Sequence, residues 1–412
     1  MIFKAYIDPG TGSMLFTILV GIIGALGFLA RNLIVKIRFF MTGGKNKGSA
    51  REKTPLVIFT DDKRYWQTFE PICRELDRRE FDVTYMTASE DDPALTNPYP
   101  HIHGEYIGSG NKAFAKLNFL NARIVFSTTP GIGVYQWKRS KNVDYYVHIP
   151  HSPRDVTIYR MFGIDYYDAL LLSGDFQFEQ VRKLEKLRDL PEKELVMVGI
   201  PYMDEMADRL AHDNDRPDHQ KTVLLAPSWG ESAILSRFGS HIIEELLKTD
   251  YHIIVRPHPQ SKTSEKDLLD RLMAEFPDSE RLEWNFDSNN YEVLKRSDIL
   301  ISDFSGVLIE FSLIYDKPVM YANTDYDPSP YDTWWLNELP WTFSAVSRLG
   351  KEITEDNLEH ISEMIDDCMN NHEYALNREA VRGEVWENYG HGAEAAADYL
   401  IGKLQELNGK ER

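Results

Sequence analysis

The sequence predicts an α/β protein with two successive doubly wound domains and a cleft between them, and three observations lead to this prediction. Short apolar runs alternate with helical patterns along the chain, as they do in βαβ units. A chain of 412 residues is too long for one small core and suits two domains. Two polar motifs, residues 256–259 and 302–310, directly follow apolar runs, where parallel strands are expected to end and ligands commonly bind.

Residues 9–30 are uncharged and predict a single membrane span near the N-terminus. At about 1.5 Å per residue, a helix of this length reaches roughly 33 Å, enough to cross the hydrocarbon core of a bilayer. Five basic residues follow between Arg31 and Lys47, whereas Lys4 is the one basic residue before the span. Because positive charge favours the cytoplasmic side, the large C-terminal body is expected in the cytoplasm.

Two other interpretations of this segment stay open. A cleaved signal peptide would carry its basic residues before the apolar run, and here they follow it. Residues 31–40 alternate basic and apolar side chains, so this part could lie along the membrane surface. We favour a span that ends in such an amphipathic extension.

The remaining chain divides at a polar stretch, residues 211–220. We therefore predict a membrane anchor with a basic linker at 1–50, an N-terminal Rossmann-like domain at 51–215 and a C-terminal one at 216–412. The strands expected in the first domain are 56–60, 81–87, 122–127, 145–149, 169–173 and 195–198, with helices at 65–79 and 176–188. Those expected in the second are 222–226, 252–255, 299–302 and 318–322, with helices at 240–247, 265–276 and 307–315 and a helical tail from 356.

Charge excludes one class of partner. Residues 1–54 carry a net charge of +6, which leaves −25 on the rest of a chain whose total is −19. An acidic body does not suit nucleic acid, which requires a basic footprint, so any anionic ligand must bind in a local pocket. Cys73 and Cys368 lie far apart and have no neighbours at metal-ligand spacing, which indicates two buried thiols.

The first polar motif is Arg256-Pro257-His258-Pro259. Its prolines fix the backbone and prevent a helix from starting there. Arg256 offers a planar fork to phosphate oxygens, and His258 can donate a hydrogen bond to a phosphate oxygen or a leaving group. The alternative is a rigid turn with an exposed arginine and a capping histidine.

The second polar motif, residues 302–310, leads from a strand into a helix through a Ser/Gly turn. Backbone amides at the helix start, together with the Ser305 hydroxyl, would form an anion site. Glu310 follows Asp303 by two helical turns and could reach a ribose. The alternative is ordinary helix capping by Asp303 or Ser305.

A third motif in the first domain runs from His148 to Arg154 and contains His151. A histidine that faces the cleft could remove a proton from an acceptor hydroxyl, whereas a histidine in a loop also has purely structural uses.

Taken together, these motifs resemble those of the CDP-glycerol glycerophosphotransferases of the teichoic-acid primase and polymerase type. The resemblance covers roughly residues 140–345. Besides the three motifs it includes Gly199-x-Pro201-x-x-Asp204, Pro227-Ser228-Trp229 and Glu338-x-Pro340.

The resemblance implies a GT-B fold whose C-terminal domain binds most of the donor. It implies transfer of a polyol phosphate from a CDP-activated alcohol to a hydroxyl of a lipid-linked acceptor, in surface polymer synthesis at the bacterial cell membrane. His151 is the expected general base, and His258 is the expected contact to the donor phosphate or the leaving group. The residues expected to bind the donor are Arg256, Ser302, Asp303, Ser305, Gly306, Glu310, Ser228 and Glu338.

The sequence also departs from the family pattern. The family commonly has His-Gly where this chain has His151-Ser152, a second serine where Gly306 stands, and an aspartate near Glu310. Glycerol phosphate is therefore the first expectation, and ribitol phosphate or another alcohol stays open. No carboxylate pair stands at metal-binding spacing, so no protein-held metal or other cofactor is expected, although a divalent ion could arrive with the donor.

Two further functions remain as alternatives. A GT-B glycosyltransferase that uses a nucleotide sugar would need the same phosphate site. An inactive, membrane-anchored binding protein would need no general base.

Overall fold

The computed structural model describes residues 52–214, 220–287, 290–303, 305–324 and 326–410. Contacts divide the chain into two units, Met1–Glu52 and Lys53–Arg412. The predicted membrane segment at residues 9–30 lies outside the described residues. Within those residues, every helix is too short or too polar to cross a membrane.

The second unit contains two parallel sheets, as predicted. The first has the order β3-β2-β1-β4-β5-β6-β7 and the second β10-β9-β8-β11-β12-β13. The strands of the first sheet are β1 (Thr54–Thr60), β2 (Val83–Thr87), β3 (Ile102–Tyr106), β4 (Asn121–Ser127), β5 (Asn142–His148), β6 (Ala169–Leu172) and β7 (Glu194–Met197). Those of the second are β8 (Thr222–Leu225), β9 (His252–Val255), β10 (Leu282–Trp284), β11 (Ile299–Ser302), β12 (Val319–Ala322) and β13 (Gly350–Ile353).

Helices cover both sheets. In chain order they are α1 (Trp66–Arg78), α2 (Asn111–Leu117), α3 (Asp175–Arg188), α4 (Pro201–His212), α5 (Ile234–Phe238), α6 (Ser240–Leu247), α7 (Ser261–Ser264), α8 (Lys266–Glu275), α9 (Tyr291–Lys295), α10 (Gly306–Ile314), α11 (Trp341–Leu349), α12 (Ile361–Asn370), α13 (His372–Val385) and α14 (Gly392–Gly409). Short 3-10 helices occupy Lys63–Tyr65, Pro93–Thr96, Val156–Ile158, Asp332–Trp335 and Leu358–His360.

The central strands form because their residues are apolar on both faces. Every residue of β6, β8 and β11 is buried, as is typical of parallel strands with helices on both sides. Helix α1 illustrates the covering layer. Its Phe69, Ile72 and Leu76 recur at helical spacing and pack against Leu56 and Ile58 of the first sheet.

The last helix returns to the first sheet. Ala396 and Leu400 of α14 lie in the same core as Leu56 and Ile58. Asp204 fixes the start of this helix, since its carboxylate accepts hydrogen bonds from the Gly390 and Gly392 amides at 2.8 and 2.9 Å and from the Trp386 indole at 2.7 Å. The predicted division at residue 215 stays a prediction, and α14 belongs to the core of the first sheet.

Residues 326–340, here named the docking segment, follow β12 and lie against the first domain. The Asp332 amide donates to the Tyr159 carbonyl at 3.0 Å, and the Met161 amide donates to the Pro330 carbonyl at 3.1 Å. Arg188 of α3 forms a buried ion pair with Asp332, and it also pairs with Asp165 at 2.6 Å. These contacts tie the loop after β12 to the other sheet.

A second buried carboxylate links the two halves. Asp155 belongs to the loop after β5, yet it accepts hydrogen bonds from the Trp341 amide at 2.6 Å and the Thr342 amide at 2.9 Å. It thereby caps the N-terminus of α11, which has no cap of its own from Pro340. Because one end of α11 depends on Asp155, movement between the sheets would expose unpaired amides.

Candidate functional site

A cavity of about 320 Å³ lies between the loop after β5 and the residues that follow β12. Its first wall comes from the first domain and its second from the docking segment and the start of α11. Its lining combines histidine, arginine and aspartate with aromatic rings, a composition suited to a ligand that is both charged and partly apolar. The lining residues are Pro150, His151, Ser152, Arg154, Asp155, Ile158, Tyr159, Tyr326, Tyr331, Thr342 and Phe343.

His151 lines this cavity as a neutral imidazole. Burial, followed by the positive charges of Arg154 and Arg64, lowers the pKa of His151 to about 4. Its ring packs 5.0 Å from the ring of Tyr65, and its Nδ1 is buried with no hydrogen-bond partner. A neutral imidazole in a cleft can accept a proton, so the geometry permits the predicted role of general base.

The neighbouring His148 has a structural place. It is fully buried at the end of β5, and burial lowers its pKa to about 3. Its Nε2 lies 3.3 Å from the hydroxyl of Tyr159, which lines the cavity. His148 therefore lies behind a wall of the cavity and is not among its lining residues.

The start of α10 lies beside this cavity. Ser305 occupies the N-cap position with extended backbone angles, and its side chain makes no capping hydrogen bond. A Cβ atom added to Gly306 would lie 3.6 Å from Cδ of Arg154. The helix amides are thus free of a side-chain cap, next to a cation from the first domain, which is the arrangement of an anion site.

Three other predicted donor residues have mainly structural contacts. Ser302 is fully buried, and its hydroxyl donates to the Ala226 carbonyl at 2.7 Å. The Asp303 carboxylate accepts from the Ser228 amide at 3.0 Å and from the Ile234 amide at 3.3 Å. Burial raises the pKa of Asp303, while the Ser228 hydrogen bonds oppose that rise. Ser302, Asp303 and Ser228 therefore hold the loop after β8 against the end of β11.

Arg256 and His258 lie at the same edge of the second sheet, after β9, two strands away from β11. Strands β9 and β11 flank β8, so their ends are roughly 10 Å apart at about 4.8 Å per strand. The Arg256 guanidinium binds the Asn285 side chain and donates to the Asp287 carbonyl at 2.8 Å. Arg256 therefore faces the loop after β10 and is separated from α10 by the end of β8.

Arg64 lowers the pKa of both predicted catalytic histidines, His151 and His258. Burial first, and then Arg64, lowers the pKa of His258, while Glu265 opposes that shift. Because Arg64 also lowers the pKa of His151, both histidines lie within electrostatic range of one guanidinium. His258 is not among the residues that line the cavity of His151, so its place in the same site stays a prediction.

Comparison with known proteins assigns the family. A sequence model described as CDP-glycerol:poly(glycerophosphate) glycerophosphotransferase matches residues 165–394, which is more than half of the chain. The chain belongs to this family. It is also 30% identical over 151 residues to the teichoic acid glycerol-phosphate primase of Bacillus spizizenii, over 34% of this chain and 36% of the primase. The match thus spans about a third of that relative.

Solved structures with the same fold are more distant in sequence. The wall teichoic acid polymerase TagF, in a structure with CDPG, has a TM-score of 0.51 and 16% identity over 85% of this chain and 89% of its own. The UDP-GlcNAc 2-epimerase of Methanocaldococcus jannaschii, in complex with UDP-GlcNAc and UDP, has a TM-score of 0.56 and 15% identity over 85% of this chain and all of its own (100%). These similarities confirm an α/β fold of the GT-B kind with two parallel sheets.

Two carboxylates predicted to bind the donor lie away from the cavity lining. Glu310 accepts a hydrogen bond from the Tyr202 hydroxyl at 2.8 Å, and burial raises its pKa. Glu338 pairs with Lys183 of α3 at 2.9 Å, and both side chains are about half exposed. The first carboxylate joins α10 to α4, and the second holds the docking segment to α3.

Sequence reasoning missed several residues that line this cavity. Arg154 was part of the third motif, and its position three residues after His151 was the available signal. Tyr326, Tyr331 and Phe343 come from a distant part of the chain, where no pattern predicted that they would reach the first domain. In the described ranges, no group of three or more His, Cys, Asp or Glu side chains is arranged to hold a metal ion.

Proposed function

We propose that this protein transfers a polyol phosphate, glycerol phosphate in the first instance, from a CDP-activated alcohol to a hydroxyl of a lipid-linked acceptor in wall polymer synthesis. Family membership supports the reaction class. The observation that carries the proposal is the neutral His151, which faces a cavity beside the uncapped amide end of α10.

The reaction follows from this placement. An acceptor hydroxyl oxygen attacks the β-phosphorus of the donor and gives its proton to His151. The bond between the β-phosphorus and the bridging oxygen breaks, and its electron pair leaves with CMP. The amides at the start of α10 and the cations of the cleft offset the developing negative charge. We propose that His258 contacts the donor phosphate or the leaving CMP.

The proposal extends to the cell membrane. Residues 9–30 are proposed to anchor the enzyme, with the catalytic body in the cytoplasm, because the basic residues follow the apolar run. A lipid-linked acceptor would then diffuse in the same bilayer as the enzyme, so that transfer takes place at the membrane surface.

Nucleotide release tests the proposed reaction directly. The purified full-length protein in detergent or nanodiscs would be incubated with a lipid-linked acceptor and separately with CDP-glycerol, CDP-ribitol and UDP-sugars. We expect acceptor-dependent release of CMP from CDP-glycerol. Release of UDP from a nucleotide sugar, without release of CMP from either CDP-alcohol, would instead establish a glycosyltransferase.

The pH dependence tests His151 as the base. The base must be deprotonated to work, and kcat/KM reports the protonation of the free enzyme. Since burial and the charges of Arg154 and Arg64 lower the pKa of His151 to about 4, we expect kcat/KM to persist as the pH falls below 6.5 and to fall off towards pH 4. The measurement is kcat/KM for CMP release between pH 4 and 8, with circular dichroism at each pH to verify folding. An acid limb at or above pH 6.5 contradicts this assignment.

The Arg64→Ala variant provides a matched check on the pH profile. It removes one positive charge that disfavours protonation of His151, so the acid limb should move to higher pH. An unshifted limb would mean that another group controls the profile.

A further inference from the structure

Arg154 is a partly buried cation to which the proposed reaction assigns no specific partner. Its Nε is fully buried without a hydrogen-bond partner, and within the described residues its guanidinium forms no ion pair. Burial lowers the pKa of Arg154, which reflects the unfavourable environment of the charge in the unliganded protein. An unpaired charge in such a position costs more free energy than a paired one. A bound anion would supply the missing partner.

The nearby carboxylates are engaged elsewhere. Asp155 accepts hydrogen bonds from the Trp341 and Thr342 amides at 2.6 and 2.9 Å. Glu310 accepts from the Tyr202 hydroxyl at 2.8 Å. Asp155 favours the charged form of Arg154, and Arg154 favours the charged form of Glu310. Both effects act at longer range, because neither carboxylate forms an ion pair with Arg154 within the described residues. The guanidinium therefore remains available to an anion in the cavity that it lines.

The position of Arg154 identifies the part of the ligand that it would contact. Its Cδ lies 3.6 Å from the place of a Cβ on Gly306, at the first turn of α10. It lines the same cavity as His151, which is the proposed base for the acceptor. Arg256, in contrast, is bound to the loop after β10, on the far side of the end of β8.

We propose that Arg154 and the amide end of α10 together form the site for the transferred β-phosphate, so that the first domain supplies an arginine to a donor held mainly by the second. This inference rests on the proposed function. A guanidinium can bind two phosphate oxygens at once, and the helix amides approach from the opposite domain. The cleft then distinguishes a diphosphate from a monophosphate, because CMP lacks the group that Arg154 binds.

Binding measurements with paired nucleotides test this site without turnover. The affinities of CDP, CMP, UDP and UMP would be measured by calorimetry for the wild type and for Arg154→Ala, Arg154→Lys and Arg271→Ala. Arg271 is an exposed arginine of α8 and serves as the matched control. We expect Arg154→Ala to weaken diphosphate binding by about 10- to 100-fold, since hydrogen bonds to charged groups are strong, with monophosphate binding unchanged. Arg154→Lys should lose less, because it retains the charge but not the fork.

The possible outcomes separate this inference from the proposed function. Three results would each overturn the β-phosphate site. Arg154→Ala weakens diphosphate and monophosphate binding equally, or it leaves diphosphate binding unchanged. The third result is a wild type that binds diphosphates no better than monophosphates. If Arg154→Ala fails to fold, the diphosphate and monophosphate affinities of Arg154→Lys are compared with those of the wild type, and the same three results would overturn the site. Suppose that Arg154→Ala weakens diphosphate binding but not monophosphate binding, while no CMP is released from CDP-alcohols. This result would contradict the proposed function and would still support the anion site.

Discussion

Replacing His151 with alanine is expected to slow CMP release by about 10²- to 10⁴-fold, the usual contribution of a general base. The loss should appear in kcat, because the imidazole acts on the acceptor proton and not on the nucleotide. Calorimetric affinity for CDP should therefore stay close to that of the wild type. Steady-state turnover of CDP-glycerol with a lipid-linked acceptor measures the first effect.

The same substitution should leave the protein folded. His151 keeps a buried Nδ1 without a hydrogen-bond partner, so its removal relieves one unsatisfied polar atom. We expect the melting temperature of His151→Ala to match or exceed that of the wild type. His360→Ala, which removes a largely exposed histidine, is the matched control for turnover and melting. Wild-type turnover in a folded His151→Ala protein would exclude this histidine as the base.

The central strands could be predicted from the sequence because they are apolar on both faces. Strands β8, β9 and β11 were located to within one residue for this reason. The predictions missed β3, β10 and β13, all of which lie at sheet edges. Strand β3 exposes four of its five residues, and β10 contains only three, so neither forms a recognisable apolar run.

Residues of the site that directly follow a strand could be predicted from the sequence. Residues that reach the cavity from distant segments of the chain could not. His151 lines the cavity and Ser305 begins the helix beside it, and each follows a strand of a parallel sheet. Ser302 was assigned to phosphate binding because of its residue type, but its hydroxyl binds the Ala226 carbonyl inside the sheet. Sequence patterns give the end of a strand but not the direction in which its last side chain points.

The docking segment shows the same limit more strongly. Nothing in the local sequence indicates that Asp332 lies beside Arg188, because the two residues are far apart along the chain. Sequence reasoning instead selected Glu338, which lies in the same segment and pairs with Lys183 at the surface. The buried pair depends on the packing of the two domains, which no local pattern records.

Replacing Asp332 with alanine is expected to destabilise the protein by about 3–5 kcal/mol, because it leaves a buried arginine without one of its partners. The Arg188 side chain is only 4% exposed and that of Asp332 is 0% exposed. Asp332 also accepts hydrogen bonds from the Phe162 and Gly163 amides at 2.7 and 3.2 Å, and alanine would leave both amides unpaired. Urea unfolding followed by tryptophan fluorescence measures the effect, since Trp335 lies 5.0 Å from the guanidinium of Arg188.

Two further variants separate charge from position. Asp332→Asn keeps an oxygen acceptor for the Phe162 amide but loses the charge, so its midpoint should lie between those of the wild type and alanine. Asp327→Ala removes an exposed carboxylate of the same docking segment whose hydrogen bonds, within the part of the chain that the structure describes, go to Ser329, and it should leave the midpoint unchanged. Because Tyr331 adjoins Asp332 and lines the cavity, Asp332→Ala should also lower turnover at temperatures where the protein is still folded. Equal midpoints for Asp332→Ala and Asp327→Ala would show that the buried pair does not hold the domains together.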